Sequence, residues 1–190
     1  MTRTNARADG LDAWSDLPGE RVLRFIYIDR ILELRRLERI VASLTLDPGE
    51  TMFRYHFPAN PMAPASVLVE AFAQAATALL ETGLGFRHKA LPVYVHQAKL
   101  HRAVRPAVPL RIEMRLSQRN ESGAVIGGHA EQEGRKCASC TLGMAHAPLG
   151  DFFDAGAARG YRTLYQHWLE GAALEGFERP PLEEFPDGDP

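Results

Sequence analysis

The sequence predicts an α+β domain, and two observations establish this class. Residues 67–80 are almost entirely apolar, which is typical of a helix that is buried on every face. Downstream, residues 110–117 alternate strictly between apolar and polar side chains, and residues 124–132 and 136–145 are two further extended segments. Three strands in this order form a meander, so we expect an antiparallel sheet packed on one buried helix.

The central helix is predicted to begin at Ser66, a suitable N-cap residue, and to end near Gly83, because glycine commonly terminates a helix. Its polar exceptions are Glu70, Gln74 and Thr77. Burying a carboxylate costs on the order of several kcal/mol unless the group is paired or protonated. We therefore expect burial to raise the pKa of Glu70.

Two extended segments are predicted before the helix. Residues 22–34 are rich in Ile, Leu, Phe and Tyr, and residues 39–46 alternate in the manner of a strand. Residues 58–65 contain three prolines, which exclude a regular helix there. Residues 1–19 are polar and predict a flexible N-terminal arm, so the folded domain is expected to span residues 20–147.

Residues 148–190 predict a C-terminal helical extension with an acidic tail. Its apolar side chains recur at helical spacing and form one stripe: Tyr161, Leu164, Tyr165, Trp168, Leu169 and Ala172. This amphipathic helix is expected either to cap the outer face of the sheet or to mediate oligomer contacts. The final Pro/Glu/Asp-rich stretch is expected to be disordered.

Composition limits the classes of function. Apolar residues make up 45% of the 190 positions and the formal net charge is −2, which gives no case for nucleic-acid binding. No apolar run reaches the roughly 18 residues that span a bilayer, and no signal segment is visible. We therefore expect a cytoplasmic protein with no membrane partner. Cys137 and Cys140 lie in a predicted strand, where positions three apart face opposite sides, so neither a shared metal nor a disulfide is predicted there. No cofactor is predicted for the chain.

The residues most able to do chemistry lie at the start of the central helix. His56 sits in a proline-rich loop, and Glu70 lies one turn into the helix. A buried carboxyl group that holds its proton can act as a general acid. Alternatively, Glu70 is a structural residue satisfied by Gln74, one turn further on, or by a backbone amide. Spacing alone leaves both interpretations open.

This segment resembles the hallmark of the 3-hydroxyacyl-acyl-carrier-protein dehydratases of type II fatty-acid synthesis. That family has Gly-His-Phe-Pro, a short loop with Met-Pro-Gly, and a helix with Glu-Ala-x-Ala-Gln. This chain has His-Phe-Pro at 56–58, Met-Ala-Pro at 62–64 and Glu-Ala-Phe-Ala-Gln at 70–74, with the family's His-to-Glu spacing. Residues 25–34 and 98–106 resemble further family segments in the same order.

The resemblance implies a hot-dog fold, in which a curved antiparallel sheet wraps a long helix. It also implies a homodimer, or a trimer of dimers, whose active site combines residues of two subunits. His56 would remove the proton α to the thioester carbonyl, and Glu70 of the partner subunit would protonate the departing 3-hydroxyl. The substrate would be a thioester of acyl carrier protein or of coenzyme A.

A backbone N–H at the start of the helix is expected to stabilise the developing enolate oxygen, because helix N-termini offer unpaired donors. The candidate donors are the amides of Ala65, Ser66 and Val67. Three further side chains are expected to line the pocket: Tyr55, Phe57 and Gln74.

The chain departs from the family pattern around this pocket. Where the family has Pro-Gly, this chain has Pro58-Ala59, Pro64-Ala65 and Pro106-Ala107, and Tyr55 replaces the family's glycine before histidine. Glycine after proline often serves a turn with positive φ, which alanine resists. We therefore expect remodelled loops at the mouth of the pocket.

A local basic cluster follows downstream, formed by Lys99, Arg102 and Arg105 with His101. Such a cluster is either a solvated surface or a docking site for an acidic carrier protein, and the sequence leaves both open.

The leading prediction is a dehydratase-like lyase of fatty-acid biosynthesis. One alternative is an acyl thioesterase of the same fold, which would release a free thiol. The other is a non-catalytic acyl-carrier-binding subunit, which would bind acylated carrier without turnover. The Gly-to-Ala changes motivate this last alternative.

Overall fold

The structure, a computed structural model, describes residues 25–153 and 155–185. The predicted N-terminal arm, residues 1–19, lies outside the described residues, as does the beginning of the extended segment predicted at 22–34. Seven strands form one sheet and one long helix packs against it. The predicted α+β class is confirmed.

The strands and helices follow one another in the chain order β1 (Arg30–Arg35), β2 (Arg39–Leu44), α1 (Met52–Tyr55), α2 (Ala65–Gly83), β3 (His88–Leu100), β4 (Leu110–Arg119), β5 (Gly123–Gln132), β6 (Arg135–Pro148), α3 (Ala155–Leu169) and β7 (Ala173–Glu175). Two short 3-10 helices lie at Leu149–Asp151 and Pro181–Glu183. The sheet order is β3-β6-β5-β4-β2-β1-β7.

The predicted meander is confirmed as β4, β5 and β6, which pair antiparallel. Glu133 and Gly134 join β5 to β6, and both have positive φ, as a tight hairpin turn requires. Alternation places Leu110, Ile112 and Met114 of β4 in the core. These side chains, with those of the neighbouring strands, form the surface on which α2 packs.

Strand β3 was not predicted from the sequence. It contains Pro92, which lacks an N–H donor and is tolerated mainly on edge strands. In the structure β3 is an edge strand, and its register with β6 shifts between Pro92 and Tyr94. All residues from 91 to 100 are exposed, so none of the residues that the structure describes covers this long edge.

The C-terminal extension packs on the domain. Tyr165 is fully buried against Phe86, with the ring centroids 4.8 Å apart, and the Trp168 indole N–H donates to the Ile28 carbonyl at 2.9 Å. Helix α3 includes the predicted stripe from Tyr161 to Leu169, whereas Ala172 lies beyond the end of the helix. α3 contacts β1 and the end of α2 rather than remaining separate.

The expectation of a disordered C-terminal stretch is wrong for the residues that the structure describes. β7 pairs in parallel with β1 through Glu33, Leu34 and Arg35. Phe185, at the end of the described chain, is buried against Phe86. Composition alone failed here because aromatic residues spaced along a polar stretch gave it enough apolar surface to pack.

Candidate active site

His56 lies immediately after helix α1, at the start of the proline-rich loop that leads to α2. Its backbone N–H donates to Met52 O at 2.8 Å and ends the short helix. The next residue, Phe57, has a φ of 58°, a left-handed conformation that β-carbon-bearing residues rarely adopt. The turn is closed by the Asn60 N–H, which donates to Phe57 O at 2.8 Å. This reversal brings the loop back over the imidazole.

The loop fixes the orientation of the imidazole. His56 Nδ1 lies 2.9 Å from Met62 O, and a carbonyl oxygen can only accept, so Nδ1 is the donor. In the neutral ring, Nε2 then has the free lone pair. No hydrogen bond within the described residues occupies Nε2. The geometry therefore presents a base on the side of the ring that faces away from the loop.

Glu70 is exposed in the single chain, so the expectation of a buried carboxylate is wrong for an isolated subunit. Helix α2 is not buried on every face: Ala65, Ser66 and Glu70 lie on an open side of its first two turns, whereas its second half is buried. The desolvation argument for Glu70 therefore does not apply within one subunit. No ion pair or hydrogen bond joins His56 and Glu70 of the same chain.

Gln74 links Glu70 to the N-terminal segment. Its amide N–H₂ donates to Glu70 Oε1 at 3.0 Å and to Phe25 O at 2.5 Å. Its Oε1 accepts from the Tyr27 N–H at 2.8 Å. The predicted contact between Gln74 and Glu70 is therefore present, and Gln74 also attaches residues 25–28 to α2.

The start of α2 offers backbone donors. The helix begins at Ala65 with Pro64 in the N-cap position, so the predicted N-cap at Ser66 is wrong. Pro64 has a ψ of 143°, which is extended backbone, so the helical conformation starts only at the next residue. The Val67 N–H already donates to Pro64 O at 3.1 Å. The Ala65 and Ser66 amides have no acceptor within the described part of the chain, so they are the two available donors.

A small cavity of about 60 Å³ lies beside these donors. Its walls come from the first turns of α2, the end of β3 and the neighbouring part of β6; the lining includes Ala65, Leu68, Phe72, Ala98, Leu100, Ala138 and Ser139. The start of α2 and the end of β3 have exposed residues here, so the cavity lies at the β3 edge of the sheet.

The aromatic residues beside His56 face outward. Tyr55 is 82% exposed, and Phe57 is also exposed while its ring packs edge-on against His56 at a centroid distance of 4.6 Å. Of the three alanines that stand where the family has glycine after proline, only Ala107 has a positive φ, 61°. Ala59 and Ala65 themselves therefore adopt no left-handed backbone.

The basic cluster divides into two parts. Lys99 and Arg102 are exposed and free to meet an acidic partner. Arg105 is only partly exposed, and its guanidinium donates to Asn60 Oδ1 at 2.5 Å and to Pro61 O at 2.9 Å. Its charge is therefore directed at the loop that contains His56.

Sequence reasoning missed a second carboxylate on the same helix. Glu81 is completely buried at the C-terminal end of α2. It accepts hydrogen bonds from Lys89 Nζ at 2.8 Å, Ala90 N–H at 2.9 Å, Tyr165 OH at 2.7 Å and the Tyr161 hydroxyl. Burial, and then the nearby Glu81 charge, raise the pKa of both tyrosines well above the usual range. The available signal was the i, i+4 spacing of the tyrosines on α3, which places both hydroxyls on one face.

Within residues 25–153 and 155–185, no group of three or more His, Cys, Asp or Glu side chains could hold a metal ion. None of the helices in those ranges is both long and apolar enough to cross a membrane.

The FabA-like domain family matches residues 17–140 of this chain. The chain belongs to the FabA-like domain family. Among curated relatives, the 3-hydroxyacyl-[acyl-carrier-protein] dehydratase FabZ of Koribacter versatilis is 36% identical over 107 residues, covering 55% of this chain and 69% of that protein. The corresponding protein of Campylobacter curvus is 32% identical over 125 residues, covering 62% and 84%. The predicted family is therefore confirmed.

Solved structures share the fold of this FabA-like chain. The dehydratase heterocomplex ApeI:P from Xenorhabdus doucetiae superposes with a TM-score of 0.53 at 12% identity, covering 65% of this chain and 84% of that one. A Streptococcus mutans protein bound to acetyl CoA gives a TM-score of 0.53 at 10% identity, covering 70% and 97%. The predicted hot-dog fold is confirmed.

Proposed function

We propose that this chain removes water from a 3-hydroxyacyl thioester to give the trans-2-enoyl thioester. His56 acts as the base, and Glu70 of the partner subunit acts as the acid. The single observation that carries the proposal is the hydrogen bond from His56 Nδ1 to Met62 O, which leaves Nε2 free to accept a proton. Membership of the FabA-like domain family and the FabZ relatives support the reaction type.

The atoms balance in one elimination. Nε2 of His56 takes the proton from the carbon α to the thioester carbonyl, and the electron pair forms the new C2–C3 double bond. The C3–O bond breaks, and the Glu70 carboxyl group supplies the proton that turns the leaving hydroxyl into water. Negative charge develops on the carbonyl oxygen, and the free amides of Ala65 and Ser66 are suited to stabilise it.

A partner subunit supplies what the single chain lacks. Within one chain, Glu70 is exposed and makes no contact with His56. The uncovered edge strand β3 presents Val93, Tyr94 and Val95 to solvent, the first two at 63% and 62% exposure. A long apolar edge is a template for strand pairing, and a two-fold axis would pair β3 with its own copy. We propose that this homodimer buries Glu70 and closes the cavity beside Phe72.

The carrier is a further part of the proposal. Lys99 is exposed at the end of β3 and lines the cavity, and the exposed Arg102 follows β3 by two residues. An acidic carrier protein would approach along this side, because complementary charge steers association. Coenzyme A, whose phosphates are also anionic, is the alternative thioester carrier.

The first experiment follows the absorbance of the conjugated enoyl thioester after a 3-hydroxyacyl thioester is added. His56→Ala and Glu70→Gln are each expected to lower kcat by roughly 10²–10⁴-fold, the usual contribution of a general acid or base. His167→Ala and Glu178→Gln replace exposed residues of the extension and serve as matched controls that should retain the wild-type rate. Full activity in both site variants would overturn the proposal, as would stoichiometric thiol release without enoyl product.

Mixing the two inactive variants tests the partner-subunit acid. In a mixed dimer of His56→Ala and Glu70→Gln subunits, one site has both substitutions and the other has none. Random pairing of equal amounts should therefore restore about a quarter of the wild-type activity. A site built within a single subunit would recover nothing, because each chain would still lack one of the two groups.

A further inference from the structure

We infer that Arg105 is a positioning residue for His56 and not a carrier-docking residue. The inference rests on the proposed function, since it assigns a role within the same site. It also makes a structural claim that can be measured without turnover.

The Arg105 backbone is clamped by a buried side chain. Gln132, at the end of β5, accepts from the Arg105 N–H at 2.9 Å and donates through Nε2 to Arg105 O at 2.9 Å. The same amide nitrogen donates to Val108 O at 2.8 Å. Gln132 is buried, so these bonds are shielded from water and hold the segment in one place.

From this anchored backbone the guanidinium reaches the catalytic loop. It donates from one nitrogen to Asn60 Oδ1 at 2.5 Å and to Pro61 O at 2.9 Å. The residue before Arg105 adds a backbone bond, because the Ala63 N–H donates to Val104 O at 2.8 Å. Between these contacts lies Met62, whose carbonyl holds His56 Nδ1.

The loop has few other means of keeping its shape. Three prolines remove backbone donors from residues 58–64, and Phe57 has a strained positive φ. A single guanidinium nitrogen that bonds two successive residues, Asn60 and Pro61, replaces some of the missing backbone bonds. Without it, the Met62 carbonyl is free to move away from Nδ1.

The consequence for chemistry is specific. If Nδ1 loses its carbonyl acceptor, the neutral ring is no longer restricted to the tautomer with a free Nε2. A misplacement of about 1 Å can cost on the order of 10²-fold in rate. Substrate binding contacts are not altered, so the loss should be in kcat.

The direct test is ¹⁵N NMR of the imidazole in the wild-type protein and in Arg105→Met. In its neutral form, wild-type His56 should show a protonated Nδ1 and an unprotonated Nε2. Arg105→Met should show a mixture of the two tautomers. Arg135→Met, at the exposed first residue of β6, is the matched control and should keep the wild-type spectrum. An unchanged spectrum in Arg105→Met would overturn the inference.

Kinetics distinguish positioning from docking. Arg105→Met should lower kcat roughly 10- to 100-fold on both a carrier-protein substrate and a coenzyme A substrate, with KM nearly constant. Arg105→Lys keeps the charge and offers one nitrogen with several donors, so it should retain more activity than Arg105→Met. A rise in KM on the carrier-protein substrate alone, with normal kcat, would identify Arg105 as a docking residue and overturn the inference.

The two proposals fail separately. If the wild-type protein produces no enoyl thioester, the proposed function is wrong, while the tautomer of His56 still decides the role of Arg105. A thermal melt of each variant shows whether the protein is folded at the assay temperature, so that only folded proteins are compared.

Discussion

Each end of helix α2 has a carboxylate, and the two differ in burial and in hydrogen bonding. Glu70, near the N-terminal end, is exposed and has one hydrogen-bond partner, Gln74. Glu81, three turns later, is completely buried and has four partners, among them an ammonium group and two phenols. The same helix therefore has one carboxylate, Glu81, whose oxygens accept four hydrogen bonds, and another, Glu70, whose oxygens accept one.

This difference separates structure from function. A buried carboxylate is stable only when its oxygens are fully satisfied, and Glu81 meets that condition by joining α2 to Lys89 and to the C-terminal helix. A group that must meet a substrate cannot be satisfied within its own chain. Glu70, with its oxygens available, is suited to a reaction partner, and Glu81 is suited to holding the extension in place.

The backbone does not share this contrast. Near the N-terminal end of α2, Phe57 and Ala107 adopt positive φ, 58° and 61°. Just after the C-terminal end, Phe86 also has a positive φ, 55°, and its ring is buried against Tyr165 and Phe185. Left-handed backbone persists where the surrounding structure holds it, so hydrogen bonding and burial, not backbone conformation, distinguish the two ends.

Removing Glu81 should give the largest effect on stability. Glu81→Ala leaves the Lys89 ammonium and two tyrosine hydroxyls without their acceptor, so the free energy of unfolding should fall by about 3–5 kcal/mol. Urea unfolding at fixed protein concentration measures this change.

Glu70→Ala is the matched control on the same helix. It should change the free energy of unfolding by no more than about 0.5 kcal/mol, as exposed substitutions usually do, while abolishing dehydration. Equal destabilisation by the two variants would break the distinction between the two ends.

A third carboxylate, Glu113 on β4, tests whether the number of partners sets the strength of the effect. Hydrogen bonding to Arg39, with further bonds to Arg111 and Arg115, lowers the pKa of Glu113 from 4.5 to about 2. A depressed native pKa contributes stability that is present above pH 4.5 and lost as the pH falls toward 2.

Glu113→Gln should therefore lower the free energy of unfolding by about 2 kcal/mol at pH 7, allowing for partial solvent screening. The difference from wild type should shrink between pH 4.5 and pH 2, measured by urea unfolding across that range. Glu133→Gln, in the exposed turn between β5 and β6, controls for loss of one negative charge. A pH-independent difference for Glu113→Gln would contradict the assignment.

The sequence predicted the fold well because its signals were local. Strict alternation identified β4, and the apolar run identified α2 to within one residue at its start. Family resemblance then selected the hot-dog fold among α+β arrangements. The edge strand β3 was missed because Pro92 interrupts the pattern of a strand.

The site was predicted less completely, because burial depends on tertiary contacts. Composition around Glu70 suggested a buried helix face, yet that face is open in a single chain. The role of Glu81 could not be predicted, because two of its four partners, Tyr161 and Tyr165, lie about eighty residues away in the sequence. Arg105 was assigned to a surface cluster, since sequence proximity to Lys99 cannot reveal that its guanidinium turns toward Asn60.

The smallest expected effect concerns the left-handed backbone at Ala107. Ala107 adopts a left-handed conformation that costs an alanine about 1 kcal/mol or more, whereas glycine adopts it freely at the cost of greater entropy in the unfolded chain. Ala107→Gly should therefore raise the free energy of unfolding by about 0.5–1 kcal/mol, measured by urea unfolding. Ala59→Gly is the matched control, because Ala59 also follows a proline but lacks a positive φ, and it should give no gain. If both substitutions stabilise the protein equally, the gain does not come from relief of left-handed strain at Ala107.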